Sequence, residues 1–170
     1  MDWDGVKIGG GICFDSCFPG NFHRLAQNQV DLLLFPSLWP GGIQLHTFAK
    51  LHSCRVALAY PAWSKIIDID GLSVVEGGYR NETLRFGFGA PVYTATLNFD
   101  RVALYGSSNE EQIVALLSQY GKRITISYDQ ENCLWFLGSN DPELGEAGII
   151  KEFGLIPANK YFQDYENALA

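Results

Sequence analysis

The sequence predicts an α/β fold, and three observations carry that reading. Segments of strand character alternate with segments of helical spacing along most of the chain. Val30 to Phe35 is apolar on both faces, so that strand needs cover on two sides, as in layered α/β folds. A content of 18 glycines and 14% aromatic residues suits strands joined by tight turns.

The elements follow in order. Val6 to Cys13 is β-branched and glycine-rich and reads as a buried strand. Pro19 opens a helix at its first position, with Phe22, Leu25 and Ala26 at helical spacing. Val30 to Phe35 is the next strand, and Pro36 with Pro40-Gly41-Gly42 marks a loop. A helix starts at Gln44, with Leu45, Phe48, Ala49 and His52 on one stripe, and runs into a strand from Val56 to Tyr60. Ser64 to Asp68 and Leu72 to Val75 pair as a hairpin turned by Asp70-Gly71. Val92 to Phe99 alternates and reads as a further strand. The composition shifts near Gly106. Ser107 and Ser108, with Glu110 and Glu111, form overlapping capping boxes for a helix that turns Ile113, Leu116, Leu117 and Tyr120 inward and stops at Gly121. Strands from Arg123 to Tyr128 and Cys133 to Leu137 come next. Two short helices, separated by Gly154 and Pro157, finish the chain. There is no internal repeat and no low-complexity tract.

Charge and composition exclude several functions. The net charge of −7, from 12 basic and 19 acidic residues, argues against nucleic acid or an anionic membrane as partner, since both need basic patches. The longest apolar run, Val30 to Trp39, is far short of the ~20 residues of a membrane span and is broken by Pro36. MDWDGVK lacks the layout of a secretory signal. Cys13, Cys17, Cys54 and Cys133 match no zinc spacing, and the three histidines sit in unrelated segments, so neither metal nor cofactor is expected. A reducing, cytoplasmic setting is the expectation. On that reading the formal glycosylation sequon at Asn81-Glu82-Thr83 is a chance match.

Chemistry concentrates in Lys7-Ile-Gly-Gly-Gly-Ile-Cys13-Phe-Asp15-Ser-Cys-Phe-Pro19. An apolar strand ends at a cysteine and a helix opens a few residues later, the layout of a nucleophile elbow. Such a turn holds the thiol towards the positive end of the helix, which favours thiolate, and frees the Phe14 N–H to face an oxyanion. The same residues also allow Cys13 to be a small core side chain. Cys17, four residues on, reads either as a redox or metal partner or as a helix-start thiol. Lys65, Arg80 and Arg85 allow contact with an acidic substrate or simple solvation.

Gly-x-x-Ile-Cys-Phe-Asp, then Phe-Pro, a helix and Asp-Leu-Leu-Leu-Phe-Pro-Ser-x-Trp, resembles the cysteine region of the nitrilase superfamily of carbon-nitrogen hydrolases. Ser64-Lys-Ile-Ile-Asp-Ile-Asp-Gly71 resembles that family's Ser-x-Ile-Ile-Asp-Pro-x-Gly turn. The likeness covers about residues 4 to 100. It implies that Cys13 is a nucleophile towards an amide or nitrile carbon and that the Phe14 backbone belongs to the oxyanion hole. It makes Asp15 an acidic, structural neighbour. It places Pro36, Ser37 and Trp39 in the substrate pocket, with core packing the alternative for Trp39. It also implies a Glu general base and a supporting Lys, both upstream of the cysteine in the family and without counterpart in these residues. Glu143, in Asp-Pro-Glu, lies in a polar loop and does not fill the place. Cys17 and Gly20 stand where Arg and Glu are common, Lys50 to Arg55 lacks the usual Arg-Ala-x-Glu-Asn run, and the loop from Tyr60 to Trp63 is short.

The resemblance therefore implies one half of a nitrilase-like αββα sandwich, residues 1–106, and a small α/β C-terminal extension, residues 107–170. Lys151 to Pro157 and the aromatic helix from Tyr161 to Tyr165 resemble the tail of some bacterial members. That tail packs either on its own domain or on a neighbouring subunit. The expected function is cysteine-dependent hydrolysis of a non-peptide C–N bond in a small amide or nitrile, with the chain inactive alone. The alternative is a non-catalytic interaction or scaffold subunit. The expected partners are further copies of the chain or a complementary N-terminal half, with no nucleic acid and no membrane.

Overall fold

The computed structural model describes residues 1–78 and 92–169. Arg80, Arg85 and the sequon at Asn81 lie outside the described residues. The chain divides into two compact units, Met1–Leu97 and Asn98–Ala170. The division precedes Gly106 because the strand Arg101–Tyr105 pairs within the second unit.

The first unit is built on a six-stranded sheet in the order β1-β2-β3-β4-β5-β6, with β1 Asp2–Trp3, β2 Val6–Gly10, β3 Leu32–Pro36, β4 Arg55–Ala59, β5 Ser64–Ile67 and β6 Ser73–Gly77. The β2-β3-β4 core is parallel and the outer pairs are antiparallel. Helix α1, Pro19–Gln27, joins β2 to β3, and helix α2, Gly42–His52, joins β3 to β4. Proline at the start of α1 costs no hydrogen bond, because the first helical N–H groups have no partner in any case. Leu45, Phe48 and Ala49 recur at helical spacing and are buried. Ser53 adopts a left-handed conformation and returns its N–H to Ala49, which ends α2.

Both helices pack with Leu33, Phe35, Val56, Leu58 and Ile67, which share one face of the sheet. Phe22 of α1 stacks on Phe48 of α2 with ring centroids 4.8 Å apart. The opposite face carries Leu34, 44% exposed, with Ala57 and Ile66 half-buried beside it. The two-sided cover expected for this strand is therefore present on one side among the described residues. The hairpin β5-β6 turns through Asp68 to Leu72. Gly71 there has φ +75°, and a Cβ would lie 2.9 Å from the His46 carbonyl oxygen, so the turn needs glycine.

Val92 to Phe99 departs from expectation. Exposure alternates from Val92 to Leu97, as the pattern requires, yet no strand pairing forms there among the described residues. Alternation fixes which side chains face inward, and a strand also needs a hydrogen-bonded neighbour.

The second unit holds a three-stranded antiparallel sheet in the order β7-β9-β8, with β7 Arg101–Tyr105, β8 Ile124–Asp129 and β9 Leu134–Ser139. Helices α3 Gly106–Tyr120 and α4 Glu146–Phe153 contribute Ile113, Leu116, Tyr120 and Ile149 to a core with Val102, Leu104 and Leu137. Helix α5, Ala158–Leu169, stacks Tyr161 on Tyr105 with centroids 4.2 Å apart. Two details correct the expected helix at 107–120. Tyr105 is its N-cap and no side chain caps it, because the helix already starts at Gly106. Leu117 is 49% exposed, off the stripe of Ile113, Leu116 and Tyr120. No helix among the described residues is long and apolar enough to cross a membrane.

Candidate active site

Strand β2 ends at Gly10, and Gly11 continues the contact with β3 by donating its N–H to the Leu34 carbonyl at 3.2 Å. A Cβ on Gly11 would approach the Phe35 ring to 3.1 Å, so the small residue lets the chain pass close over the core. The chain then tightens into a 3₁₀ turn, Cys13–Cys17, before α1 opens at Pro19.

Cys13 occupies the sharpest point of this turn. Its φ of +46° lies in the left-handed region, which a residue with a Cβ enters only when its surroundings hold it there. The restraints are visible. Asp15 accepts the Ile12 N–H at 2.8 Å through its carboxylate and returns its own N–H to the Ile12 carbonyl at 2.9 Å. Ser16, 3% exposed, donates its hydroxyl to the Cys13 carbonyl at 3.0 Å. Asp15 is thus a fastener of the elbow, as the sequence suggested.

The Cys13 side chain is half-buried and faces the loop that follows β3. Hydrogen bonds from the Leu38 N–H and the Ser37 side chain hold the thiol below its ordinary pKa, and the Phe14 N–H adds to them. Partial burial and the Asp15 charge oppose the shift. Hydrogen bonds to sulfur favour the charged form, so this thiol ionises more readily than a free one. Cys54 shows the opposite. It is 1% exposed, and burial pushes its pKa up to about 12, only partly offset by the neighbouring Arg55. Cys17 and Cys133 are exposed and unbridged.

The expected site residues fall as follows. Pro36 ends β3 with its side chain exposed, and Ser37 is buried at 8% exposure. Trp39 is 46% exposed, which rules out simple core packing in the described chain. The Phe14 ring is exposed and meets Phe18 edge-on at 5.5 Å. Leu38 is the residue that sequence reasoning missed. It acts through its backbone N–H, and a backbone donor leaves no signature in the residue type. Lys65 is committed elsewhere, with its ammonium 3.2 Å from His46 Nε2 and 3.8 Å from the Glu76 carboxylate. Glu143 belongs to the second unit, where its N–H donates to Asp141. A cleft of about 280 Å³ opens between β2 and α1, lined by Gly10, Gly11, Asp15, Asn21 and Arg24 among others. Cys13 and the 37–39 loop are not part of its wall.

No family model and no curated protein sequence matches the chain. Similar solved structures come from the nitrilase superfamily. One is a cysteine-to-alanine mutant of the amidase from Nesterenkonia AN1, 21% identical over 46% of this chain and 36% of that one, with a TM-score of 0.42. Another mutant of that amidase shows the result of Michael addition of acrylamide at its active-site cysteine, with 21% identity over 46% of this chain and 37% of that one, and a TM-score of 0.42. Saccharomyces cerevisiae Nit3, a member of branch 10 of the superfamily, is 24% identical over 42% of this chain and 33% of that one, with a TM-score of 0.38. The chain spans about a third of the length of these proteins.

Proposed function

We propose that the chain is part of a nitrilase-like carbon-nitrogen hydrolase, with Cys13 as nucleophile towards the amide or nitrile carbon of a small molecule. The observation that carries this reading is the convergence at one residue. The cysteine of the Gly-x-x-Ile-Cys-Phe-Asp motif is also the one held in a left-handed turn with hydrogen-bond donors on its sulfur. In this reading the Cys13 thiolate attacks the carbon, the Phe14 N–H receives the oxyanion, and Pro36, Ser37 and Trp39 line the pocket. With an amide, the C–N bond breaks, the amine leaves with a proton and a thioester remains. With a nitrile, the first adduct is a thioimidate, which adds water and loses ammonia to reach the same thioester. A further water then hydrolyses the thioester to the acid.

The same reading makes the chain inactive by itself. The leaving amine needs a proton and the attacking water needs a base. The acidic side chain that acts on the thiol is Asp15, already committed to the Ile12 N–H. A second oxyanion donor is also missing from the reading, and removing one such donor costs about 3 kcal/mol. A complementary half, or another copy, supplies the base and the cation and covers the open sheet face around Leu34. The hydrolase part is assigned to residues 1–106, with β7 at its end pairing into the extension, residues 107–170, and the protein works in the cytoplasm.

The test is a panel of small amides, ureido acids and nitriles, assayed with the chain alone and with a homologous N-terminal half added in trans. The expected result is thioester formation at most by the chain alone and turnover after complementation, abolished by Cys13→Ala. Steady turnover by the chain alone would overturn the half-site reading. A second reading is an interaction subunit without catalysis, and the exposure of Leu34 favours it. It predicts stable complex formation that survives Cys13→Ala and yields no turnover with any half.

A further inference from the structure

The sheet of the second unit has two outer strands, and they end differently. β7 is met on its outer side by a bridge between Leu104 and Pro157. β8 pairs with β9 alone among the described residues. Its six residues hold no proline, lysine or arginine, and its register against β9 runs without a bulge. Those are the devices that usually keep a strand edge from pairing with another chain. The ladder also fixes which backbone groups face that edge. Asn140 donates its N–H to the Arg123 carbonyl at 2.8 Å, and Ser139, next to it, donates to the Asp100 carbonyl at 2.9 Å. Bonding alternates from side to side along a strand. Thr125, Ser127 and Asp129 therefore turn their backbone groups to β9, and Ile124, Ile126 and Tyr128 turn theirs outward. The Ile124 N–H bonds the Gly121 carbonyl, so Ile124 offers the edge its carbonyl.

We propose that β8 is a self-complementary docking edge, on which a second copy of this chain pairs β8 to β8, antiparallel, about a twofold axis through Ile126. The inference is independent of the reading of Cys13. An antiparallel ladder matches outward residues with outward residues, which excludes every register that sets Ile126 against Thr125 or Ser127. An axis through Ile126 engages all three outward residues. The two Ile126 residues exchange both of their bonds, and each Tyr128 N–H donates to the Ile124 carbonyl of the other copy. The side chains match on both faces in the same register. On one face Ile126 meets Ile126, and Ile124 meets Tyr128, which is 46% exposed and lies against Trp135 with centroids 4.2 Å apart. On the other face the exposed residues Thr125 and Ser127 meet, and Arg123, directly before β8, meets Asp129. Opposite charges then stand across from each other at both ends of the pair, an arrangement that stabilises cross-strand neighbours. Moving the axis to Thr125 or Ser127 leaves Asp129 opposite Gly121 or Thr125, without a cation. Arg123 bonds Asp141 through Nε, and Asp129 accepts from Asn132. A guanidinium and a carboxylate each have room for a second partner.

The experiment uses the full chain carrying Leu34→Glu, so that association through Leu34 does not enter. Amide hydrogen exchange is read residue by residue by NMR at low and high protein concentration. The Ile126 and Tyr128 amides exchange about tenfold or more slowly at high concentration, while Thr125 and Ser127, already bonded to β9, change little. Exchange at Ile126 and Tyr128 that ignores concentration overturns the proposal. Charge reversal supplies the second arm. Arg123→Glu and Asp129→Lys, each made separately, put like charges at both ends of the self-pair and weaken dimerisation by about tenfold or more in sedimentation. Mixed in equal amounts, the two variants form a heterodimer, because an acidic edge then faces a basic one. A variant that has simply lost its fold does not show that rescue, and circular dichroism checks each variant. A mixture that associates no better than its components overturns the proposal, as does a single variant that dimerises like its parent. A heterodimer that leaves the Ile126 amide unprotected places the contact elsewhere and overturns it too.

Discussion

The central strands of the two units present similar sequences and reach different ends. In β3, Leu33 is fully buried while its neighbour Leu34 is 44% exposed, because α1 and α2 both pack on the Leu33 face. In β9, Phe136 and Leu137 are 3% and 0% exposed, so both faces are closed. The core that holds α3 and α4 includes Leu137, and α5 stacks on Tyr105, a residue on the Phe136 side of the sheet. An apolar run states what a strand would bury. Whether it is buried depends on the other elements at hand, and among the described residues of the first unit Leu34 lacks such cover.

The sharpest way to break this comparison is to truncate adjacent residues of β3. Leu33→Ala should cost about 3–5 kcal/mol in denaturant unfolding, since it removes methyl groups from a filled core and leaves a cavity. Leu34→Ala should cost less than about 1 kcal/mol, because its side chain gives up little burial. Sedimentation should show the parent chain as a dimer or larger species, with apolar dye bound. Leu34→Glu should lower both association and dye binding at nearly unchanged stability. Equal costs at the two positions, or a monomer without dye binding, would mean that the Leu34 face is covered after all.

A smaller effect tests whether the second unit is as closed inside as its sheet suggests. Asn109 is fully buried on α3, and its amide is satisfied by the protein itself. Nδ2 donates to the Tyr105 and Ile156 carbonyls at 2.7 and 3.0 Å, and Oδ1 accepts the Ile156 N–H at 2.8 Å. One side chain thereby ties the start of α3 to the segment before α5. Asn109→Ala strands those backbone groups and should cost about 2–3 kcal/mol, measured by denaturant unfolding. Ser16→Ala in the elbow breaks a single bond to the Cys13 carbonyl and should cost about 1 kcal/mol. A cost at Asn109 no larger than that at Ser16 would remove the contrast.

Much of this architecture was legible because its signals are local. The parallel β2-α1-β3-α2-β4 run follows from Pro19, the Leu45-Phe48-Ala49 stripe and the loop prolines and glycines, each of which reports on its own segment. The hairpin was readable from Asp70-Gly71. Strand β7 was missed because Val102, Ala103 and Leu104 are all buried, which erases the alternation that marks a half-exposed strand. The start of α3 was misplaced because two good capping serines lie inside the helix, where packing of the first turn outweighs capping preference. At the site, Cys13 and Ser37 stood out by motif. The part of Leu38 did not, since it acts through a backbone N–H that any residue would supply.

The smallest expected effect concerns pH, and it separates the units by a different property, a carboxylate held by neutral donors. Tyr120 on α3 donates its phenol hydrogen to the Glu152 carboxylate of α4 at 2.5 Å, and Gln119 adds a bond at 2.8 Å. Chiefly through the Tyr120 bond, Glu152 is held below the ordinary carboxylate range, and the same bond raises Tyr120 above the ordinary phenol range. The signs follow from which state binds the proton. Glu152 releases its proton more readily when folded, so its contribution is full above the unfolded carboxylate pKa and is lost as pH falls through the lowered folded value. Tyr120 holds its proton more tightly when folded, so its contribution is full below the unfolded phenol pKa and is lost as pH rises through the raised folded value. The pair therefore adds a plateau of stability bounded by an acid edge and an alkaline edge. Glu152→Gln should lower Tm slightly on the plateau and flatten the acid edge, and Tyr120→Phe should weaken both edges. Glu152 is exposed, so salt should shrink the effect. Thermal melts of the parent and the two variants from acid to alkaline pH measure it. A Glu152→Gln profile parallel to the parent's on the acid side would show that the α3–α4 contact rests on packing alone.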